Sequence, residues 1–189
     1  AENWSMEELS SVSIDDEKAG ETIVDYLIEH GHTKIAEIGA NLELSQTAIL
    51  RHNGYLNSLK KHGITPDERY YERARFSYDS AYRAMKKLLE KNIEITAVYA
   101  ISDVMAIGAI RAILDKGLRV PEDISITGFD GSTLAEYYNP KIVSIRQPHK
   151  DMAARSVELL FNMIDLHKGS CHEIIPFELT EGESVARID

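Results

Sequence analysis

Two hydrophobic patterns alternate along the chain. Short runs of consecutive apolar residues predict buried strands, and longer segments with apolar residues every three or four positions predict helices. The predicted strands lie at 12–14, 34–39, 70–76, 96–101, 124–129, 142–146 and 173–179. The predicted helices lie at 15–30, 46–62, 77–91, 102–116, 133–138 and 148–168. This alternation predicts an α/β fold with a mostly parallel sheet and helices on both faces.

The segment 96–132, TAVYAISDVMAIGAIRAILDKGLRVPEDISITGFDGS, contains one complete β-α-β unit. Asp103 closely follows the first strand of this unit, and Asp130 closely follows the second. In open α/β sheets, small ligands bind in the crevice outside the carboxyl ends of the strands. The segment therefore predicts one wall of a small-molecule site.

The two aspartates admit three interpretations. Paired carboxylates can act as general acid and general base. Alternatively, Asp103 starts the helix that follows it, and Asp130 stabilises a Gly-Phe-Asp-Gly turn. In the third interpretation the carboxylates accept hydrogen bonds from ligand hydroxyl groups. We favour the structural role for Asp103, and for Asp130 both the turn role and the ligand-binding role stay open at this point.

Two further side chains are candidates for ligand contact. Arg51, on the helix predicted at 46–62, can supply a forked hydrogen-bond donor, although a solvated helical arginine is the alternative. Phe76 lies at the end of a predicted strand, where its ring can stack on a ring-shaped ligand. Simple packing in the core is the alternative for Phe76.

The helix predicted at 148–168 has an unusually wide apolar surface. At 100° per residue, one narrow side carries Met152, Leu159 and Met163. An adjoining, wider side carries Ala153, Ala154, Val157, Leu160, Phe161 and Ile164. Together they span roughly 220°, against about 100° for an ordinary surface helix. This helix is therefore predicted to need partners on two sides.

The composition is that of a packed domain: 43% of the 189 residues are hydrophobic and 28% are charged. The net charge of -10 argues against binding of nucleic acid by this chain itself, because such binding relies on basic surface. Cys171 is the only cysteine, so an intrachain disulfide is excluded and a reducing compartment is favoured. The chain has neither an apolar run of about 18 residues nor the features of a signal peptide. We therefore expect a cytoplasmic protein without a membrane partner.

Catalytic and metal-binding motifs are weak. His30 and His32 flank Gly31, where the dipole of a helix end explains a histidine better than a metal does. Cys171 and His172 resemble a nucleophile and its base but lack a third orienting group. EIGANLELS has one glycine where a dinucleotide-binding loop needs three. The sequence therefore predicts no metal, no cofactor and no enzymatic activity.

An ordered series of segments resembles a known family. The series comprises SVSIDDEKAG at 11–20, IEHGHTKIAEIGA at 28–40, RHNGY at 51–55, FSYDSAYRAMKKLL at 76–89, TAVYAISDVMAIGAIRAI at 96–113, GLRVPEDISITGFDG at 117–131, NPKIVSIRQP at 139–148 and FELTEGESV at 177–185. It resembles the effector-binding core of lactose/galactose-repressor-type bacterial transcription regulators, which share the periplasmic sugar-binding-protein fold. The most diagnostic piece is RVPEDISITGFD.

The resemblance implies specific roles for individual residues. It implies effector contacts at Arg51, Phe76, Ser102 and Asp130. It implies a homodimer with interface residues at Ile107, Ile110 and Tyr138. The chain departs from the family pattern at Ser102, Gly131 and Gly182, so the resemblance leaves the identity of the effector open.

The resemblance also implies a division of the chain within a type I periplasmic-binding-protein-like fold, with one lobe largely complete and the other missing. Residues 12–146 form the C-terminal effector subdomain, and residues 1–11 precede it. Residues 147–169 carry a crossover helix that belongs to the missing N-terminal subdomain. Residues 170–189 return as a strand and tail. Without its sheet partner, the helix is expected to pack on the chain's own surface, exchange with a second chain or be mobile.

The resemblance implies that the chain is the sensing part of a DNA-binding regulator of the repressor type. Its partner is a small-molecule effector, a sugar or sugar phosphate, and DNA is contacted only through a domain outside this chain. One lobe alone is expected to bind the effector weakly. A periplasmic sugar-binding protein of a transport system is the alternative. A third interpretation, an α/β enzyme, rests only on Asp103 and Asp130.

Overall fold

The computed structural model describes residues 10–166 and 170–188, without the side chains of residues 165 and 166. The strands are β1 Ser11–Ser13, β2 Ile35–Gly39, β3 Tyr71–Arg73, β4 Ala97–Ala100, β5 Ser125–Asp130, β6 Val143–Arg146, β7 His172–Ile174 and β8 Glu178–Thr180. The helices are α1 Asp16–Glu29, α2 Gln46–Lys61, α3 Tyr78–Glu90, α4 Asp103–Asp115, α5 Thr133–Glu136 and α6 His149–Leu166. A short 3-10 helix, Glu68–Tyr70, precedes β3. The last two residues of the helix predicted at 148–168 lie outside the described residues.

Six strands form the main sheet in the order β3-β2-β4-β5-β6-β8. The first five run parallel, and β8 is antiparallel to β6. Every residue of β2 and β4 is buried, as expected for parallel strands that are covered on both faces. The predicted α/β fold with a mostly parallel sheet is confirmed.

The prediction of a single strand at 173–179 is wrong. β7 pairs with β1 in a separate two-stranded sheet, whereas β8 pairs with β6 in the main sheet. Pro176 lies between them, and a proline has no backbone N–H to donate to a strand ladder. The strand predicted at 70–76 is likewise shorter, because only β3 is paired at the sheet edge.

Helices α1 and α2 approach each other closely at two glycines. A Cβ atom at Gly54 would lie 2.3 Å from the backbone oxygen of Glu17, and one at Gly20 would lie 2.8 Å from that of Arg51. Only residues without a Cβ permit such an approach of the two backbones. The contact brings Arg51 of α2 beside the start of α1, where Asp16 is located.

Helix α6 packs on the chain through its narrow apolar side. Leu159 and Met163 are partly buried and, with Val12 of β1, line an apolar groove of about 340 Å³. Arg155 pairs with Glu173 of β7 at 2.9 Å. Of the three alternatives expected for this helix, packing on the chain's own surface is the one observed for this side.

The wider apolar side of α6 is open in this chain. Its large side chains are 53% to 61% exposed: Val157, Leu160, Phe161 and Ile164. A surface helix of a globular protein normally turns such residues toward a core. The helix was predicted to need partners on two sides, and in this chain only its narrow side has one.

Candidate functional site

Arg51 is the central residue of the candidate site. It is 4% exposed, so the alternative of a solvated helical arginine is wrong. Its Nε donates to Asp16 Oδ1 at 2.8 Å, and its Nη1 donates to the carbonyl oxygen of Ile101 at 2.6 Å. The guanidinium also lies 3.6 Å from the ring centroid of Phe129 and 3.6 Å from Asp130 Oδ1. These contacts hold it at the carboxyl ends of β4 and β5.

Asp130 ends β5 in a strained backbone conformation. Its backbone φ is 113°, a value that residues other than glycine rarely adopt. Such strained residues often mark functional sites. Gln147 Nε2 donates to its Oδ1 at 2.8 Å. Burial raises the pKa of Asp130 to about 6, although the nearby Arg51 guanidinium opposes the shift. The side chain retains 31% exposure, so the carboxylate is oriented and still accessible to a ligand.

We predict that Asp130→Asn stabilises the free chain above pH 6. Because the folded-state pKa is raised from 3.8 to about 6, the carboxyl group favours folding below pH 3.8 and loses that effect as the pH rises through 6. Asparagine carries no charge to bury, and it tolerates a positive φ. Urea unfolding should show a gain on the order of 1 kcal/mol at pH 7.5 and a smaller one at pH 5. Asp79→Asn, at an exposed ion pair, is the control, and an equal change in both variants would refute the prediction.

Asp103 is a buried structural acceptor. Its Oδ1 accepts from Ser144 Oγ and its Oδ2 accepts from the backbone N–H of Ser132, both at 2.6 Å. Burial raises its pKa, and these two hydrogen bonds oppose that shift. Asp103 is also the first residue of α4. The structure therefore supports the helix-start role and leaves this carboxylate little accessible for acid–base chemistry.

Ser102 caps α4. Its side chain accepts from the backbone N–H of Met105 at 3.3 Å, and the residue is 2% exposed. The helix was predicted to begin at 102 with Asp103 in a helix-start role, and in the structure Ser102 is the cap and Asp103 the first helical residue. Its contact with an effector stays a prediction.

Phe76 is 48% exposed, so the alternative of core packing is wrong. Its ring lines a cavity of about 440 Å³ beyond the ends of β2 and β3. Asn41, Arg73 and Arg75 line the same cavity, and no motif or spacing in the sequence marks any of the three as a candidate. The ring is thus available to stack on a ligand in this cavity.

The three residues predicted at a dimer interface differ in exposure. Ile107 and Tyr138 are partly exposed, whereas Ile110 is fully buried within the chain. Ile110 is therefore wrong as an interface residue, because it offers no side-chain surface to a second chain. The family resemblance implied this interface role, but α4 is covered on most of its circumference.

The weaker candidate residues have structural surroundings. His30 Nδ1 hydrogen-bonds to the carbonyl oxygen of Tyr26 at 2.8 Å, and the buried His32 contacts the carbonyl oxygen of Ala186 at 3.0 Å. Within residues 10–166 and 170–188, no group of three metal-ligating side chains could hold an ion. No helix in that part of the chain is long and apolar enough to cross a membrane.

The arrangement matches a known family. The model of the periplasmic binding protein-like domain matches residues 24–185. The chain belongs to this family. Open α/β sheets in general bind ligands outside the carboxyl ends of their strands, and Arg51 and Asp130 lie 3.6 Å apart at such ends.

Its relatives are bacterial transcription regulators rather than enzymes. The HTH-type transcriptional regulator MalR of Clostridium butyricum is 41% identical over 179 residues, 95% of this chain and 53% of MalR. The solved structure of the transcriptional regulator CelR in complex with cellobiose has a TM-score of 0.90 at 34% identity and covers 94% of this chain and 54% of CelR. The chain spans about half the length of the curated relatives that it matches.

A second solved structure links the fold to the predicted family. A sugar-binding transcriptional regulator of the LacI family from Escherichia coli, complexed with phosphate, has a TM-score of 0.85 at 30% identity. The aligned region covers 93% of this chain and 63% of the Escherichia coli protein. The resemblance to lactose/galactose-repressor-type regulators, with a periplasmic-binding-protein-like effector domain, is thereby confirmed.

Proposed function

We propose that the chain is the effector-sensing part of a bacterial DNA-binding transcription regulator of the repressor type. The observation that carries this proposal is the oriented, partly exposed Asp130 carboxylate beside the buried Arg51 guanidinium. This pair lies at the carboxyl ends of adjacent parallel strands, where open α/β sheets bind small ligands. The sequence similarity to bacterial transcription regulators supports the same function.

A polyhydroxylated ligand suits the chemistry of this site. The Asp130 carboxylate can accept hydrogen bonds from ligand hydroxyl groups, and charge-assisted hydrogen bonds of this kind are the strong ones. The hydrogen bond from Gln147 and the ion pair with Arg51 hold the carboxylate in one orientation, which lowers the entropy lost on binding. Phe76 can cover an apolar face of a sugar ring. We therefore infer that the effector is a sugar or a sugar derivative.

In the intact regulator, the effector would control the population of the DNA-binding state. It can do so only if it binds one state of the regulator more tightly than the other. The net charge of -10 argues that DNA is contacted through another part of the protein. We propose that the regulator is a cytoplasmic homodimer with Ile107 and Tyr138 at its interface.

The alternative is a periplasmic sugar-binding protein of a transport system. The matched relatives are transcription regulators, which favours the first proposal. An enzymatic function lacks support from the candidate acids, because Asp103 is buried and hydrogen-bonded by two donors.

The proposal is tested by DNA binding of the intact protein. Fluorescence anisotropy with DNA from upstream of its own gene should show binding, and a sugar that binds the protein should change the affinity about fivefold or more. The Asp130→Asn variant should still bind DNA but lose most of the response to the sugar. If the intact protein binds no DNA, or if a bound sugar leaves DNA affinity unchanged, the proposal fails.

A further inference from the structure

The cavity beside Phe76 contains two arginines without acidic partners. It measures about 440 Å³, within the range of small-ligand sites, and its lining includes Asn41, Arg73, Arg75 and Ser80 but no carboxylate. In the described part of the chain, neither guanidinium forms an ion pair, and Arg73 makes one long hydrogen bond to Asn41, of 3.4 Å. A chain with ten excess acids thus leaves two cations free at one cavity.

The pleat of β3 explains why the neighbouring acid does not neutralise Arg73. Side chains alternate between the two faces of a strand, so Tyr71 and Arg73 share one face and Glu72 occupies the other. Tyr71 donates its hydroxyl hydrogen at 2.8 Å to the carbonyl oxygen of Ala40, a residue that lines the cavity together with Arg73. Glu72 pairs on the opposite face with Lys91 at 2.9 Å. The one acid within β3 is therefore turned away from the cavity.

Arginines nearby on the surface have partners, in contrast to this pair. Arg69 pairs with Asp67 and Arg83 pairs with Asp79, each at 2.6 Å. The backbone at Arg75 is held in place, because the N–H of Arg75 donates to Ser80 Oγ at 2.9 Å. The two free guanidinium groups are thus attached to fixed backbone and open toward the same space.

We propose that Arg73 and Arg75 form an anion-binding subsite and that the effector carries a phosphate group. Guanidinium groups bind phosphate through forked hydrogen bonds, and two of them around one cavity match its charge. A ring stacked on Phe76 would place a phosphate substituent among these donors. This assignment deepens the proposed function and rests on it for the sugar part of the ligand, but the arginine pair can be tested separately.

The first test uses inorganic phosphate as the probe. In the intact protein, the side-chain N–H signals of Arg73 and Arg75 are followed by NMR during titration with phosphate at constant ionic strength. We expect saturable binding that weakens at least about tenfold in Arg73→Gln and in Arg75→Gln. Arg83→Gln, at an exposed ion pair outside the cavity, is the matched control. All three side chains are exposed, and an unchanged thermal midpoint verifies folding.

The second test separates this subsite from the sugar site. Glucose 6-phosphate and ribose 5-phosphate are compared with glucose and ribose by calorimetry on the same variants. A preference for a phosphorylated sugar that disappears in Arg73→Gln and Arg75→Gln supports the subsite. Neutral sugars that bind through Asp130 with no effect of either arginine overturn the subsite and leave the proposed function intact. If phosphate binds through the arginines but no sugar binds through Asp130, the subsite is supported and the proposed function is overturned. Unsaturable phosphate shifts, or equal shifts in Arg83→Gln, overturn the subsite.

Discussion

His52→Ala is expected to lower the free energy of unfolding by about 3–5 kcal/mol. Glu37 lies on β2 with its side chain fully buried, and its Oε2 is 2.7 Å from His52 Nδ1. Its other carboxylate oxygen has no hydrogen-bond partner. Burial raises the pKa of Glu37, and the hydrogen bond with His52 opposes that shift. Loss of the imidazole would therefore leave a buried carboxyl group that must either carry an uncompensated charge or take up a proton, and both are costly. Urea unfolding monitored by circular dichroism measures the change.

Two further variants isolate the cause of this effect. The double variant Glu37→Gln/His52→Ala should recover part of the lost stability, because it removes the unpaired charge. His62→Ala is the matched control, since His62 forms an accessible pair with Asp25 at 3.1 Å and should cost less than about 1 kcal/mol. Equal costs for His52→Ala and His62→Ala would contradict the role of the buried pair.

The cost of His52→Ala should depend on pH. The hydrogen bond to Glu37 raises the pKa of His52 above its usual 6.5, against the effect of burial. The stabilisation from the charged imidazole is therefore fully present below pH 6.5 and is lost as the pH rises through the raised pKa. Burial also raises the pKa of Glu37, so the pH dependence is best followed at His52 itself. NMR titration of wild type should give the His52 imidazole a pKa above 6.5.

Arg51→Ala is expected to have a similar cost, about 3–5 kcal/mol, and to abolish effector binding. The side chains of Arg51 and Asp16 are 5% and 7% exposed. Truncation of Arg51 therefore leaves the buried Asp16 carboxylate without its partner. It also removes the donor to the carbonyl oxygen of Ile101. Urea unfolding measures the stability, and calorimetry with the effector measures binding.

The effect of Arg51 can be separated from a general loss of stability. Arg69→Ala removes an exposed pair with Asp67 and should cost less than about 1 kcal/mol. Because Arg51 lowers the pKa of Asp130, its removal should raise that pKa further above about 6, as measured by NMR titration. An unchanged pKa of Asp130 would contradict the proposed coupling of the two side chains.

Hydrophobic periodicity was sufficient to predict the order of elements, because each strand and helix has a local pattern. The start of α3 was also predictable: Ser77 caps it by accepting from the backbone N–H of Ser80. The division between β7 and β8 was not, because two apolar runs around Pro176 look like one strand until their partners are known. The resemblance placed Ile110 at a dimer interface, but it does not show how many faces of α4 are covered within one chain, and the Ile110 side chain is fully buried.

The chemistry of the site was predicted only in part. Arg51 and Asp130 were candidates from the residue pattern and again from the family resemblance, and the structure brings their side chains to 3.6 Å. The partner Asp16 lies 35 positions from Arg51, and no sequence spacing connects them. Glu37 and His52 escaped notice because an acid within an apolar strand has no local signal for its partner. Long-range contacts of this kind depend on the packing of α1 and α2 against the sheet.

The central claim is that Asp130, oriented by Arg51 and Gln147, binds the hydroxyl groups of the effector. The most direct test is calorimetric titration of the intact protein with a panel of sugars and sugar phosphates, for wild type, Asp130→Asn and the control Asp79→Asn. At least one ligand should bind wild type and the control equally, and Asp130→Asn should weaken that binding at least about tenfold. Equal affinity in Asp130→Asn, or no binding by any member of the panel, would contradict the claim.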